Sequence, residues 1–137
     1  MKKVIATILL GTSLVVSAEV YTKQDRINDM HAMAQAMIDI QTGFFFNNAD
    51  IVAEGVFTLT DTITKVKPPL EEDEKADPMT RYLNEKVKVT HKMVRQINKK
   101  AYIILERFKD GDTAQATQAY TKIMKTCMEC HAQIRHW

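Results

Sequence analysis

The sequence is poor in residues that build cross-linked or turn-rich folds: its 137 residues include two cysteines, four glycines and three prolines. Two cysteines cannot supply a multi-bridge disulfide framework, and no glycine-rich phosphate loop stands out. Long period-2 runs of β-branched residues are missing, which removes the signature of half-buried strands. Charge of one sign is also lacking, because 19 Lys and Arg face 17 Asp and Glu. No bulk charge therefore points to nucleic acid or to an acidic membrane surface. Neither paired carboxylates nor a Ser-His-Asp set is apparent, so the chain carries no independent catalytic constellation and is not expected to be an enzyme. Internal repeats and low-complexity tracts are absent.

The chain opens with Lys2 and Lys3, continues through an apolar stretch to Val16, and reaches Val16-Ser17-Ala18 ahead of the polar Glu19. That is the pattern of a secretory signal peptide. Cleavage after Ala18 is expected, which makes the protein exported and periplasmic. A retained membrane anchor is the rival reading, although no lipobox cysteine is present. Residues 19–137 suit one domain with a modest core of its own. Loss of Lys2 and Lys3 leaves it close to neutral.

Apolar residues recur at gaps of three and four in four stretches, which predicts an all-α chain. The first helix is expected from about Thr22 to Phe45, with Ile27, Met30, Ala34, Met37, Ile38 and Gln41 or Phe44 on one stripe; Gly43 would loosen its last turn. The second runs from about Asp50 to Val66 with Val52, Val56, Leu59, Ile63 and Val66 inward. Lys67-Pro68-Pro69 ends it, and Glu71-Glu72-Asp73-Glu74 reads as a solvated crossover. Asp77-Pro78 is an N-cap followed by proline, starting a third helix that continues to about Lys109. Its stripe is Leu83, Val87, Thr90, Val94, Ile97, Ala101, Ile104 and Phe108. Gly111 takes the C′ position, and Asp112 with Gln115 resembles a capping box for a fourth helix carrying Ala116, Tyr120, Ile123, Cys127, Cys130 and Ile134. Four such stripes pack most simply as an antiparallel four-helix bundle.

Both cysteines fall in Cys127-Met128-Glu129-Cys130-His131, and C-x-x-C-H in an exported chain is the attachment signal for haem c. Two thiols add to the vinyl groups and one imidazole binds iron. On a helix, Cys127 and His131 share a face one turn apart, with Cys130 beside them. Zinc is the structural alternative, but it needs a fourth ligand, for which His91 and His136 are the loose candidates. A thioredoxin-like redox pair is the other, and no strand-helix alternation surrounds the motif.

A signal peptide, four helices and a single haem motif almost at the C-terminus together resemble the class II c-type cytochromes, the cytochrome c′ family with its low-spin c-556 relatives. The run from Cys127 to Arg135 is similar to that family's C-x-x-C-H-x-x-aromatic-Arg pattern, except that Ile134 replaces the aromatic residue. The resemblance implies one covalent haem c in the bundle, with His131 as proximal iron ligand and Arg135 near the proximal haem face. It implies further that Arg26 reaches a haem propionate and that Met30, four residues on, faces the open side of the iron. In the family a methionine there marks the low-spin, six-coordinate type, whereas leucine leaves iron five-coordinate.

From the residues alone Met30 stays open, because Met30, Met33 and Met37 form one stripe that equally suits core packing. His31 is the rival sixth ligand, but lies about 100° round the helix from Met30; surface positions are expected for His31, His91 and His136. Phe44-Phe45-Phe46 reads as apolar anchoring of a helix end, and Lys86, Lys88, Lys92, Lys99 and Lys100 as a solvated face that could also steer an acidic redox partner. The function expected is periplasmic electron transfer with redox protein partners, the iron held by His131 and Met30. The alternative is a five-coordinate cytochrome c′ that binds nitric oxide or carbon monoxide; a small peroxidase is weaker for want of a distal acid-base residue beyond His31. Members of that family are often homodimers, and the sequence itself does not settle the oligomeric state.

Overall fold

The computed structural model describes residues 21–68 and 85–135, with the side chain of Arg135 excepted. Among them the regular elements are four helices and no strand: α1 Lys23–Phe45, α2 Ala49–Lys65, α3 Glu85–Lys109 and α4 Thr113–Arg135. They form a four-helix bundle. The expected leader, the acidic run 71–74 read as a crossover, the helix start expected at Asp77-Pro78 and Leu83 lie outside the described residues.

Local chemistry fixes the helix ends. Thr22 caps α1 by accepting the Asp25 N–H at 3.2 Å, while the Asp25 carboxylate takes the Thr22 N–H at 2.7 Å, a reciprocal capping box. The Thr22 hydroxyl, donating to the same carboxylate at 2.6 Å, and the Thr22 N–H together hold the Asp25 carboxyl below the usual carboxylate range. α1 ends with Asn47 at φ 48°. The Asn48 N–H reaches the Gly43 carbonyl at 2.9 Å and the Asn47 N–H that of Phe44 at 3.2 Å, a Schellman closure. Asn48 then caps α2 with its own amide oxygen, accepting from Asp50 and Ile51.

The α3–α4 turn repeats this design. Gly111 sits at φ 79°, where a side chain would be strained. The Asp112 N–H meets the Arg107 carbonyl at 2.8 Å, and the Gly111 N–H meets Phe108 at 3.1 Å. The Asp112 carboxylate accepts the Gln115 N–H at 3.0 Å. Only this half of the expected capping box forms, because the Asp112 N–H is already used by Arg107.

Each tight turn makes a helical hairpin, and the hairpins pack with α2 against α3 and α1 against α4. Ile40, Leu59, Ile97, Ile104 and Ile123 are the largest fully buried side chains and draw on all four helices. Burying each contributes about 1.5–3 kcal/mol. At the turn end Phe44 stacks on Phe108 (centroids 5.2 Å apart) and meets Tyr120 edge-on at 5.8 Å. The Tyr120 hydroxyl donates to the Met37 carbonyl at 3.2 Å, tying α4 to α1. Phe44 is thus the anchor at this helix end, while Phe45 and Phe46 are 79% and 74% exposed.

The α2 stripe is inward as expected; on α1 Met30, Met37 and Phe44 of the expected stripe pack against the core, but the buried positions are others. Met33, Ala36, Ile40 and Gly43 are the buried residues of α1, whereas Ala34, Ile38 and Gln41 are exposed. The reason is the closeness of α2. A Cβ on Gly55 would lie 2.9 Å from both the Ala36 carbonyl oxygen and the Ile40 nitrogen, and one on Gly43 would lie 2.8 Å from the Val52 nitrogen. Small residues therefore line this seam, and Gly43 serves packing rather than loosening a turn. On α3, Met93 is buried between Thr90 and Ile97, whereas Val94 is only half-buried.

Gly55→Ala should consequently destabilise the protein. Helix propensity alone favours alanine by about 1 kcal/mol, but overpacking against rigid backbone costs about 1–3 kcal/mol. A lower urea midpoint for Gly55→Ala, beside an unchanged one for Ile38→Ser at an exposed site, is the expected outcome.

Candidate functional site

The stripe that supplies the core from α4 continues past Ile123 to Cys127, which is half-buried and packed against the core. Cys130 and His131 follow on the same side, both half-buried. These three side chains line a cavity of about 290 Å³, partly open to solvent, at the end of the bundle where α1 begins and α2 ends. Its volume is near the lower bound for small-molecule pockets, about 300 Å³.

All four helices contribute walls. α1 supplies Ile27, Met30 and Met33, the end of α2 supplies Ile63 and Val66, and α3 supplies Thr90, Met93, Val94 and Ile97. Cys127, Cys130, His131 and Ile134 complete it from α4. Thr90, the polar residue of the α3 wall, spends its hydroxyl proton on the Lys86 carbonyl at 2.8 Å. Lys23, Arg26 and Lys67 lie at its edge, and no carboxylate is among the described lining residues.

Thus Cys127, Cys130, His131, Met30 and Arg26 are brought to one cavity. Met33 joins them but is 7% exposed and part of the core. Met37 is not in the lining; it packs on the core one turn further along. His31 and His91 are exposed and outside the cavity lining. His136 and the Arg135 side chain lie outside the described residues. Met93, 4% exposed, is a third thioether in the wall that sequence reasoning missed. Its place four residues before Ile97 was the available signal.

Burial pushes the Cys127 thiol up to about 11, and the neighbouring Cys130 adds to the effect. Burial also raises Cys130, and burial together with Cys127 raises the Tyr120 phenol. Protonated thiols are the reverse of a thioredoxin-like nucleophile, which depends on a lowered pKa. Among the described residues, no three His, Cys, Asp or Glu side chains converge to hold a metal ion directly, and no helix is long and apolar enough to cross a membrane.

The donor chemistry fits a haem. Two thiols and an imidazole sit on one helix, a thioether comes from another, apolar walls suit a macrocycle, and cations at the edge suit its carboxylates. No protein-family model, curated protein or solved structure matches the chain.

The raised Cys127 pKa gives the protein with free thiols a defined pH response. The unfolded thiol ionises near 8.5, so above that pH the unfolded chain gives up a proton that the folded one keeps. Stability is fully retained below about pH 8.5 and falls as pH rises towards 11. Thiol alkylation of the folded chain should be slow at pH 7.5 and accelerate towards pH 11. Fast alkylation at neutral pH would contradict the buried, protonated state.

Proposed function

We infer that the chain is an exported monohaem c-type cytochrome of the cytochrome c′ kind that carries electrons. The observation that supports this best is the shared cavity: Cys127, Cys130 and His131 on α4 and Met30 on α1 line the same apolar space. Cys127 and Cys130 would hold the haem as thioethers, His131 would be its proximal ligand, and Met30 its distal ligand. A haem held in this way supplies one-electron exchange between ferrous and ferric iron.

The protein's own contribution is positional. Ile123 fixes the register of α4, which sets the directions of Cys127, Cys130 and His131. Met33 and Ile40 fix α1, which sets Met30. Ile27, Ile63, Val66, Met93 and Ile97 exclude water from the cavity walls, and a thioether ligand raises a haem potential relative to a second histidine. Thr90 has no hydroxyl proton to spare, so it does not offer a donor to a distal ligand. Lys88, Lys92, Arg95 and Lys99 are all exposed along α3. Their spacing of four, three and four residues makes one basic face, which suits docking of an acidic redox partner.

The test is the visible spectrum of the holoprotein, oxidised and reduced, with and without carbon monoxide. Electron transfer through His131 and Met30 predicts a sharp low-spin α band that carbon monoxide leaves unchanged. Met30→Ala should convert it to a high-spin spectrum that responds to carbon monoxide. A parent protein that is already high-spin and binds carbon monoxide promptly would instead favour the five-coordinate gas-binding form.

A further inference from the structure

Three cations, Lys23, Arg26 and Lys67, gather at the cavity's edge. Lys23 and Arg26 are three residues apart in the first turns of α1. Like charges at that spacing repel, and the helix dipole disfavours cations at an N-terminus. Lys67, just past the end of α2, adds a third cation to the same edge. The arrangement raises the local potential beside an otherwise apolar space, and no described lining residue is a carboxylate.

Lys67 is also held in place. Its ammonium lies 5.8 Å from the centroid of the Tyr21 ring, within the range of a cation–π contact. The Tyr21 hydroxyl donates to Asp29 of α1 at 2.6 Å. Tyr21 therefore straps the end of α2 to α1 beside the cavity. Burial and the Asp29 carboxylate push its phenol above the usual range, so it stays a neutral donor at any physiological pH. Asp29 is occupied by this bond and is not among the lining residues.

We propose that Lys23 and Lys67 act with Arg26 as a rim that binds the two carboxylates of the tetrapyrrole seated in the cavity, and that Tyr21 is the residue positioning Lys67 for this task. The proposal rests on the haem reading above and extends it from the iron ligands to the charged edge of the group. An apolar macrocycle with two anionic substituents is matched by apolar walls and a cationic rim. The rim orients the macrocycle so that its carboxylates leave the cavity on the Lys23 and Lys67 side.

Two measurements test it. In the Cys127→Ala/Cys130→Ala chain, which cannot attach haem covalently, uptake of haemin is compared with that of haemin dimethyl ester. The rim predicts tighter uptake of haemin, and a preference that falls towards parity in Lys23→Gln/Lys67→Gln and in Tyr21→Leu. In the covalent holoprotein, Lys23→Gln/Lys67→Gln should lower the reduction potential, because removing positive charge favours ferric iron, and the difference should shrink as salt is added. Lys65→Gln is the control: it is ion-paired with Asp61 and lies outside the cavity lining, and it should leave both readouts unchanged. Equal uptake of acid and ester by the parent, or equal potential shifts for Lys65→Gln and the rim variants, would overturn the rim. An unmodified exported protein lacking covalent haem would overturn the haem reading itself, a distinct failure.

Discussion

The arrangement depends on the register in which α4 buries Ile123. That side chain is fully buried in the core, and Cys127 stands one turn beyond it on the same stripe. The face that stabilises the bundle in the first half of α4 becomes the face that carries reactive groups in the second. Rotating α4 by one residue would turn Cys127 and His131 away from the cavity and lift Ile123 out of the core together. Site geometry is thus coupled to a hydrophobic term of about 1.5–3 kcal/mol per buried side chain. The Tyr120 bond to the Met37 carbonyl fixes the height of α4 against α1.

Filling at one end and openness at the other follow from side-chain size. Near the turns, Phe44, Phe108 and Tyr120 occupy the space between helices. Towards the other end the facing positions hold Met30, Met33, Thr90 and Cys127, and a cavity remains. Gly43 and Gly55 draw α1 and α2 together, so the opening lies among the helices rather than between that pair. The half-buried thiols stay protonated there, which keeps them from acting as redox nucleophiles in the folded chain.

Much of this was legible in the sequence because large aliphatic side chains mark their own period. Val52, Val56, Leu59 and Ile63 on α2, and Ala116, Ile123 and Cys127 on α4, were read on the faces they occupy. Cys127, Cys130, His131, Met30 and Arg26 were named from motif and resemblance, and they line one cavity. The α1 stripe was read in part: Met30, Met37 and Phe44 pack against the core, whereas Ala36 and Gly43 are buried by a close helix approach, a tertiary effect that weighting by apolar size cannot register. Met93 was passed over because Val94 also fits a four-residue step from Thr90. Lys23 and Lys67 carried no such signal, because Lys23 opens α1, Lys67 lies just past the end of α2 and Tyr21 precedes both.

That this cavity is built around covalently held haem, as proposed, is tested most directly by the mass of the expressed protein. Intact-mass analysis after expression with a haem-attachment system should give one species heavier than the polypeptide by one haem, with the increment lost in Cys127→Ala/Cys130→Ala. A parent protein with the bare polypeptide mass under those conditions would contradict the account.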